Sequence, residues 1–308
     1  MLKIMICVNP NKDKELTNTR KLLDFIGTFD VSVLMSDIFK RPYFDNPPLS
    51  DTLLCGYNIE FIPEYAAFKK ADICIVFGGD GTILKIAKKA SQSGAYIVGM
   101  NMGRVGYLAE LEIGEIHLLE NLLKAKSVDE IEMCDNVFID RRMMLRCEII
   151  RAGNTVFTSL GLNEVVISKG AVSRMAGLNL RCDGKNIISY RADGIVISTP
   201  TGSTAYCMSA GGPIIDPRLD CICAVPVCPY MSLNSGAVVF SGSSVIEVEF
   251  KADKINEAFC TVDGKSTKSI YDGDIVRITK APIETKLLRL KDTDFYTRLN
   301  EKMNLANN

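Results

Sequence analysis

The hydrophobic pattern changes period partway along the chain. Short apolar runs at Leu2–Val8, Val31–Met35, Ile73–Phe77 and Ala95–Met100 read as buried strands. Between them apolar residues recur at helical spacing. Lys14–Phe29 carries Leu16, Leu22, Leu23 and Ile26 on one face, and Glu64–Ala71 reads as a short helix. After Phe77, residues Ile83, Ile86, Ala87 and Ala90 fall at i, i+3, i+4 and i+7, while Lys85, Lys88 and Lys89 take the solvated face. Gly114–Lys126 predicts one more helix, with Ile116, Leu119, Leu122 and Leu123 inward and the single histidine, His117, as a surface or cap residue. Strands alternating with helices predict a parallel sheet covered by helices. The Arg41–Pro48 stretch, with Pro42, Pro47 and Pro48, is a loop expected to be mobile.

After about residue 135 the period shortens. Val137–Ile150, Thr155–Ile167, Leu178–Cys182, Ile187–Thr199 and Val245–Phe250 are strand-like. Turn signals split them, among them Arg151-Ala152-Gly153-Asn154 and Cys182-Asp183-Gly184-Lys185, and Asp263-Gly264 and Asp272-Gly273 continue the pattern. This half is expected to be mainly β. Asp292–Met303 then reads as a helix with a frayed tail. The expected division is 1–135, 136–285 and a terminal segment 286–308.

Composition narrows the class. A chain of 308 residues suits about two domains, and 47% hydrophobic with 24% charged residues is ordinary for a globular protein. A formal net charge of −1 points away from a nucleic-acid surface. No run approaches the ~18 apolar residues of a membrane span. The apolar start runs straight into Asn9-Pro10-Asn11-Lys12, as a first strand would and a signal peptide would not. The eleven cysteines are odd in number, and several (Cys7, Cys74, Cys147) sit inside apolar strands, so reduced thiols of a cytoplasm fit better than a disulfide framework. Cys221, Cys223 and Cys228 form the only tight cluster. A metal site there would need a fourth ligand, and strand cysteines are the simpler reading.

Two stretches carry chemistry. The first is Phe77-Gly78-Gly79-Asp80-Gly81-Thr82, between a strand and a helix. Gly78, Gly79 and Gly81 allow backbone angles that a Cβ forbids and let a ligand approach the main chain. Amides at a helix start make an anion site, and phosphate is its natural guest. A carboxylate beside phosphate is repelled by it. Asp80 therefore reads as a base for a hydroxyl, as a metal contact, or more plainly as a helix N-cap. The loop Asn101–Tyr107 follows the next strand at the same sheet edge, where ligands gather on parallel sheets.

The second stretch is Thr199-Pro200-Thr201-Gly202-Ser203-Thr204-Ala205-Tyr206, followed by Ser209-Ala210-Gly211-Gly212-Pro213. So long a polar interruption between apolar strands is poor material for a plain turn. Its hydroxyls and small residues offer donors, acceptors and room for a flat ligand, and Tyr206 is suited to stacking on a base. Upstream, Asn163-Glu164 breaks a strand with an amide and a carboxylate, a pair able to read a ribose diol or an adenine edge.

With both stretches in view, the chain resembles the NAD kinase family. That family carries Gly-Gly-Asp-Gly-Thr, then Asn-Glu, then Thr-Pro-Thr-Gly-Ser-Thr-Ala-Tyr with Ser-Ala-Gly-Gly-Pro, here at 78–82, 163–164, 199–206 and 209–213. Arg142-Met143-Met144-Leu145 and Val262-Asp263-Gly264 are further echoes. The resemblance implies an α/β plus all-β protein. A Rossmann-like parallel α/β domain would precede a β-rich, β-sandwich-like one, with the site between them and a C-terminal helix packing back on the first. It implies phosphoryl transfer from ATP, with Mg2+ or another divalent metal, to the 2′-hydroxyl of the adenosine ribose of NAD+. Asp80 would be the base, and Gly78, Gly79, Gly81 and Thr82 would hold the donor phosphates. Asn163, Glu164, Arg174, Arg191, Asp193, Thr204, Ala205, Tyr206 and Ser209 would contact NAD+. A cytoplasmic homodimer or homotetramer is implied as well.

The chain departs from the family at Pro229–Gly236, at Arg104-Val105-Gly106-Tyr107 and at Lys265, where glutamine is common. None of these touches the two main motifs. They leave the preference between NAD+ and NADH open. The glycine turn alone is shared with lipid kinases and phosphofructokinases, so a diacylglycerol-type lipid kinase is one alternative. A non-catalytic NAD-binding sensor is another, which an intact Asp80 argues against. A Rossmann dehydrogenase is set aside because no Gly-x-Gly-x-x-Gly opens the first βα unit.

Overall fold

The computed structural model describes all residues except 10–11, 43–46, 104–105, 171–174, 231–235, 252–257 and 307–308. The chain divides into two compact units, Met1–Arg141 with Thr285–Asn308, and Arg142–Glu284. Each has its own hydrophobic core.

The first unit runs β1 (Leu2–Cys7), α1 (Thr17–Ile26), β2 (Val31–Ser36), β3 (Ile59–Ile62), α2 (Glu64–Lys70), β4 (Ile73–Phe77), α3 (Asp80–Ser93), β5 (Tyr96–Met100), α4 (Glu120–Lys124) and α5 (Val128–Glu132). The five strands pair in parallel in the order β5-β4-β1-β2-β3. Every residue of β4 and β5 is buried, as expected of central strands covered on both faces. Ile83, Ile86, Ala87 and Ala90 are the buried stripe of α3, so its helical period is real.

Two helices differ from their expected spans, each for a local reason. The α1 helix begins at Thr17 because the buried Asp13 carboxylate receives the N–H groups of Asn18 (3.0 Å) and Thr19 (2.8 Å). The preceding Glu15 and Leu16 take left-handed backbone angles. The helix expected at 114–126 is a 3-10 turn over Ile113–Leu119 followed by α4, with Leu119, Leu122 and Leu123 still buried. The mobile loop expected at 41–48 falls partly on residues 43–46, outside the described residues.

The second unit continues with β6 (Phe138–Arg151), β7 (Asn154–Gly161), β8 (Glu164–Lys169), β9 (Ala176–Cys182), β10 (Lys185–Ala192), β11 (Gly194–Ser198), α6 (Tyr206–Ser209), β12 (Cys221–Val227), β13 (Val238–Ser241), β14 (Ile246–Lys251), β15 (Ala258–Val262), β16 (Ser266–Ile270) and β17 (Ile275–Arg289). One antiparallel sheet has the order β13-β12-β11-β8-β15-β16. In the other, β10-β9-β14-β17 are neighbours, and β6 pairs with β17 and β7. Leu178, Leu180, Val248 and Ile278 of the second sheet share one core with Val165, Ile167, Ile195 and Ile197 of the first. The unit is therefore sandwich-like.

The long expected strands at 155–167 and 187–199 are each broken in two, at Leu162-Asn163 and at Asp193. Cys221 and Cys223 are buried strand residues of β12 and Cys228 is exposed beyond it. No group of three metal-ligating side chains exists among the described residues.

The end of β17 belongs to the first unit, where Lys286 and Leu287 lie parallel to Tyr96 and Ile97 of β5. The chain ends in α7 (Phe295–Ala306), which packs on that unit through Arg298 and Lys302. The expected architecture, a parallel α/β part, a β-rich part and a returning helix, is what the chain adopts.

Candidate functional site

In the first unit the candidate chemistry sits where β4 turns into α3. Gly78 alone of the three turn glycines needs its backbone freedom, with φ at +150°. Its N–H bonds Met100 O (2.9 Å), and the Thr82 side chain covers the space where a Cβ would stand. Gly79 and Gly81 are different. Added Cβ atoms there would meet nothing within 4 Å, so the fold does not demand glycine at either place. Bare backbone facing open space is what close approach of a ligand requires. Thr82 (2.8 Å) and Ile83 (3.3 Å) both donate to Gly79 O, closing the first helical turn. The amides of Asp80 and Gly81 precede those bonds and are left for an anion.

Asp80 is not the N-cap. That place belongs to Gly79, and the Asp80 side chain turns outward to the loop after β5. Its Oδ2 accepts the N–H of Tyr107 (2.8 Å), and its Oδ1 accepts those of Leu108 (2.9 Å) and Ala109 (3.3 Å). Gly106 makes this possible, because a Cβ there would strike Asp80 Oδ1. Lys302 of α7 stands 3.4 Å from Asp80 Oδ2. The carboxylate is thus fixed in direction, yet its side chain remains 30% exposed. A cavity of about 310 Å³ opens at the same carboxyl edge of the sheet, lined by Phe77, Asn101, Met102, Gly103 and Glu112 among others.

In the second unit an equivalent clasp holds the break between β7 and β8. The Asp263 carboxylate accepts the N–H groups of Leu162 (2.7 Å), Asn163 (2.8 Å) and Glu164 (3.1 Å). The hydroxyl-rich stretch braces the same break from the other side. Thr199 Oγ1 donates to Leu162 O (2.6 Å) and accepts from Gly202 N (3.0 Å), while Ser203 Oγ donates to Pro200 O (2.6 Å). A Cβ on Gly202 would collide with Asn163 O. So the hydroxyls of Thr199 and Ser203 are internal ties rather than ligand donors, which corrects the expectation of a loop given over to binding. Thr204 and Ala205 are half-buried, and Tyr206 and Ser209 are exposed.

The braced break leaves two buried oxygens with no partner, Asn163 Oδ1 and Glu164 Oε2. Burial and the facing Asp263 carboxylate push the Glu164 carboxyl up to about 8. Two unsatisfied acceptors of this kind are costly unless something donates to them. Arg191 and Asp193 lie elsewhere. β11 runs antiparallel to β8 with Ser198 opposite Glu164 and Gly194 opposite Ser168. That register places Asp193 at the far end of β8, roughly 17 Å along the strand from Glu164. There it pairs with Lys169 (2.7 Å), and Arg191 is exposed. Arg174 lies outside the described residues, as do positions 231–235 of the departure at Pro229–Gly236.

The chain alone marked Asp263 only within a family echo and Tyr107 only within the loop at the sheet edge, and it gave no sign of their clasping roles or of Lys302. Asp263-Gly264 carried a signal, but one that reads as a turn, and Asp263 does adopt a left-handed φ of 50°. Nothing in the sequence links Lys302 to Asp80, 222 positions away.

Comparison with known proteins places both constellations inside matched stretches. Residues 4–127 match the ATP-NAD kinase N-terminal domain and residues 162–290 match the ATP-NAD kinase C-terminal domain. The chain is 34% identical to the NAD kinase of Acetivibrio thermocellus over 303 residues, covering 98% of this chain and 97% of that one. It is 36% identical to the NAD kinase of Geotalea daltonii over 261 residues, covering 83% and 86%. Yeast NADH kinase complexed with NADH has a similar fold, with a TM-score of 0.82 at 20% identity over 100% of this chain and 89% of that one. An NAD kinase of Archaeoglobus fulgidus in complex with ATP gives 0.69 at 23% identity over 98% and 99%.

Proposed function

The chain belongs to the NAD kinase family, and on that premise we propose that it transfers the γ-phosphoryl group of ATP to the 2′-hydroxyl of the adenosine ribose of NAD+. The products are NADP+ and ADP. A bond forms from O2′ to the γ-phosphorus, the bond from that phosphorus to the bridging oxygen breaks, and the hydroxyl proton passes to Asp80. The observation that carries this reading is the state of Asp80. It is neither a cap nor a free surface group, but a carboxylate fixed by three amides beside an open glycine turn.

Phosphoryl transfer proceeds through a loose transition state, so the protein mainly positions groups and stabilises charge. A base that takes the proton late in transfer can remain an ordinary carboxylate. The first-turn amides of Asp80 and Gly81 hold donor phosphate oxygens, with Gly78 and Thr82 shaping the turn. Asn163 Oδ1 and Glu164 Oε2 receive ribose hydroxyl or adenine amino protons, and Tyr206 stacks on the base. Asp193 and Arg191, at the other end of β8, serve the second nucleoside half. Thr204, Ala205 and Ser209 complete the dinucleotide wall, and Arg174 joins the same contact set.

A divalent ion such as Mg2+ would neutralise the phosphate charge that develops in transfer. The described residues offer no three-ligand cage, and Asp80 already accepts three N–H bonds. They fit an ion carried mainly by the nucleotide's phosphates and water. No described helix is long and apolar enough to cross a membrane. A cytoplasmic homodimer or homotetramer belongs to the same proposal and is checked by sedimentation. Neither the lipid-kinase nor the sensor alternative gains support from the comparisons.

The test is direct. The purified chain is incubated with NAD+, ATP and Mg2+, and NADP+ is detected with a dehydrogenase that accepts only NADP+. Signal requiring all three components is the expected result. NAD+ binding without NADP+ would favour the sensor, and neither binding nor product would reopen the lipid kinase.

A further inference from the structure

The loop that clasps Asp80 is itself held by the end of the chain. Arg289, at the end of β17, donates to the carbonyls of Leu108 (2.8 Å) and Tyr107 (3.1 Å). Arg298 of α7 reaches the same Tyr107 carbonyl at 3.4 Å. Both guanidiniums are buried, and both pair with the buried Glu110 at 3.4 and 3.3 Å. Glu110 also receives the N–H groups of Leu290 (3.2 Å) and Lys291 (2.7 Å). The loop's carbonyls therefore face cations of the C-terminal segment, and its amides face Asp80. One turn of α7 further on, Lys302 completes the arrangement. Its ammonium lies 3.8 Å from the Tyr107 ring centroid and 3.4 Å from Asp80 Oδ2. The Phe295 ring packs near the other side of this corner, 6.1 Å from Tyr107.

These two kinds of contact do different work. Arg289 and Arg298 are buried and make bonds that hold the loop in place, so their loss is a loss of structure. Lys302 is a third exposed and holds no backbone. Among the described residues, it touches a ring face and the one carboxylate that the kinase reading needs. A cation at that point makes a charge-assisted contact with Oδ2 and helps hold the carboxylate in its direction. Burial and the Asp80 charge raise the Tyr107 phenol, so the phenol stays neutral and Lys302 is the cation that stands against Asp80 at this corner.

We propose that Lys302 is a positioning residue for phosphoryl transfer, and that α7 carries it to keep the Asp80 carboxylate aimed at the acceptor hydroxyl. The proposal rests on the kinase reading. The experiment compares full-length wild type with Lys302→Met and Lys302→Arg, measuring kcat, both KM values and melting temperature. The methionine keeps the stem over Tyr107 and removes the charge.

With Lys302→Met, kcat is expected to fall about 10- to 100-fold. Both KM values stay within about twofold, because ground-state binding is untouched. Lys302→Arg restores most of kcat. Wild-type kcat in Lys302→Met would overturn the proposal and leave the kinase reading standing. Equal losses in both variants, with a lowered melting temperature, would reduce α7 to scaffold and overturn it too. A wild-type enzyme that forms no NADP+ would overturn the kinase reading, and this inference with it.

Discussion

Asp80 and Asp263 are held alike and conditioned in opposite ways. Each carboxylate accepts three consecutive backbone amides, 107–109 in the first unit and 162–164 in the second. The glycine just before each amide run, Gly106 or Gly161, has no room for a Cβ. The neighbours differ. Asp80 has Lys302 beside it and stays 30% exposed. Asp263 has Glu164 beside it, and burial raises both carboxyls. One backbone device thus serves two electrostatic ends. In the first unit it presents a partly exposed carboxylate at the glycine turn. In the second it spends Asp263 on structure and leaves Asn163 Oδ1 and Glu164 Oε2 as buried oxygens without a partner.

The largest break in that comparison is Asp80→Asn. Its turnover, per folded molecule, is expected to fall by about 10²- to 10⁴-fold, the usual weight of a general base, while the weakened clasp on the 107–109 amides costs about 2 kcal/mol of stability, as in Asp263→Asn. Steady-state kinetics with a thermal melt checks both. The turn glycines separate fold from function next. Gly78→Ala meets both a φ of +150° and the Thr82 side chain, so it is expected to cost about 1–3 kcal/mol in a denaturant titration. Gly81→Ala enters open space, so stability holds and the KM for ATP rises.

Asp263→Asn sharpens the contrast from the other side. An amide group offers one oxygen where the carboxylate offered two, so bonds to the 162–164 amides are lost and stability drops by about 2 kcal/mol. Transfer by the molecules that remain folded is expected to be far less affected than in Asp80→Asn.

The smallest effect is a slope against pH. Burial and the Asp263 charge push the Glu164 carboxyl up to about 8 in the folded chain, against its ordinary 4.5. The folded state holds that proton more tightly, so this contribution to stability is complete below pH 4.5 and is lost as pH rises towards 8. It is worth at most about 1.4 kcal/mol per pH unit. Glu164→Gln is expected to flatten the fall in melting temperature between pH 5 and 8. Hydroxyls donating to Glu164 favour its ionised form, so NAD+ binding near pH 7 releases protons, as calorimetry in buffers of different ionisation enthalpy would record.

Local signals in the chain were enough for the elements and for the phosphate turn. The burial of Ile83, Ile86, Ala87 and Ala90 follows from their spacing, and Gly78 from the sharp strand-to-helix reversal. The interruption at Asn163-Glu164 was legible as a polar pair inside an apolar run, though not its cause, and the break at Asp193 was not legible. What stops β8 at Glu164 is a carboxylate a hundred residues later in the chain. The hydroxyl stretch was recognisable as more than a plain turn, but Thr199 and Ser203 turned out to be ties, since a hydroxyl reads the same whether it serves backbone or ligand. Lys302 and the Arg289–Glu110–Arg298 group could not be seen at all, because charged residues at a chain end ordinarily read as solvated surface.

The most direct test is a crossed measurement on Asp80→Asn and Glu164→Gln, recording NAD+ affinity and the rate of phosphoryl transfer for both. The account predicts that Asp80→Asn binds NAD+ as wild type does and loses transfer, whereas Glu164→Gln binds NAD+ more weakly and keeps transfer at saturation. Asp80→Asn with weakened NAD+ binding and near-normal transfer would contradict it.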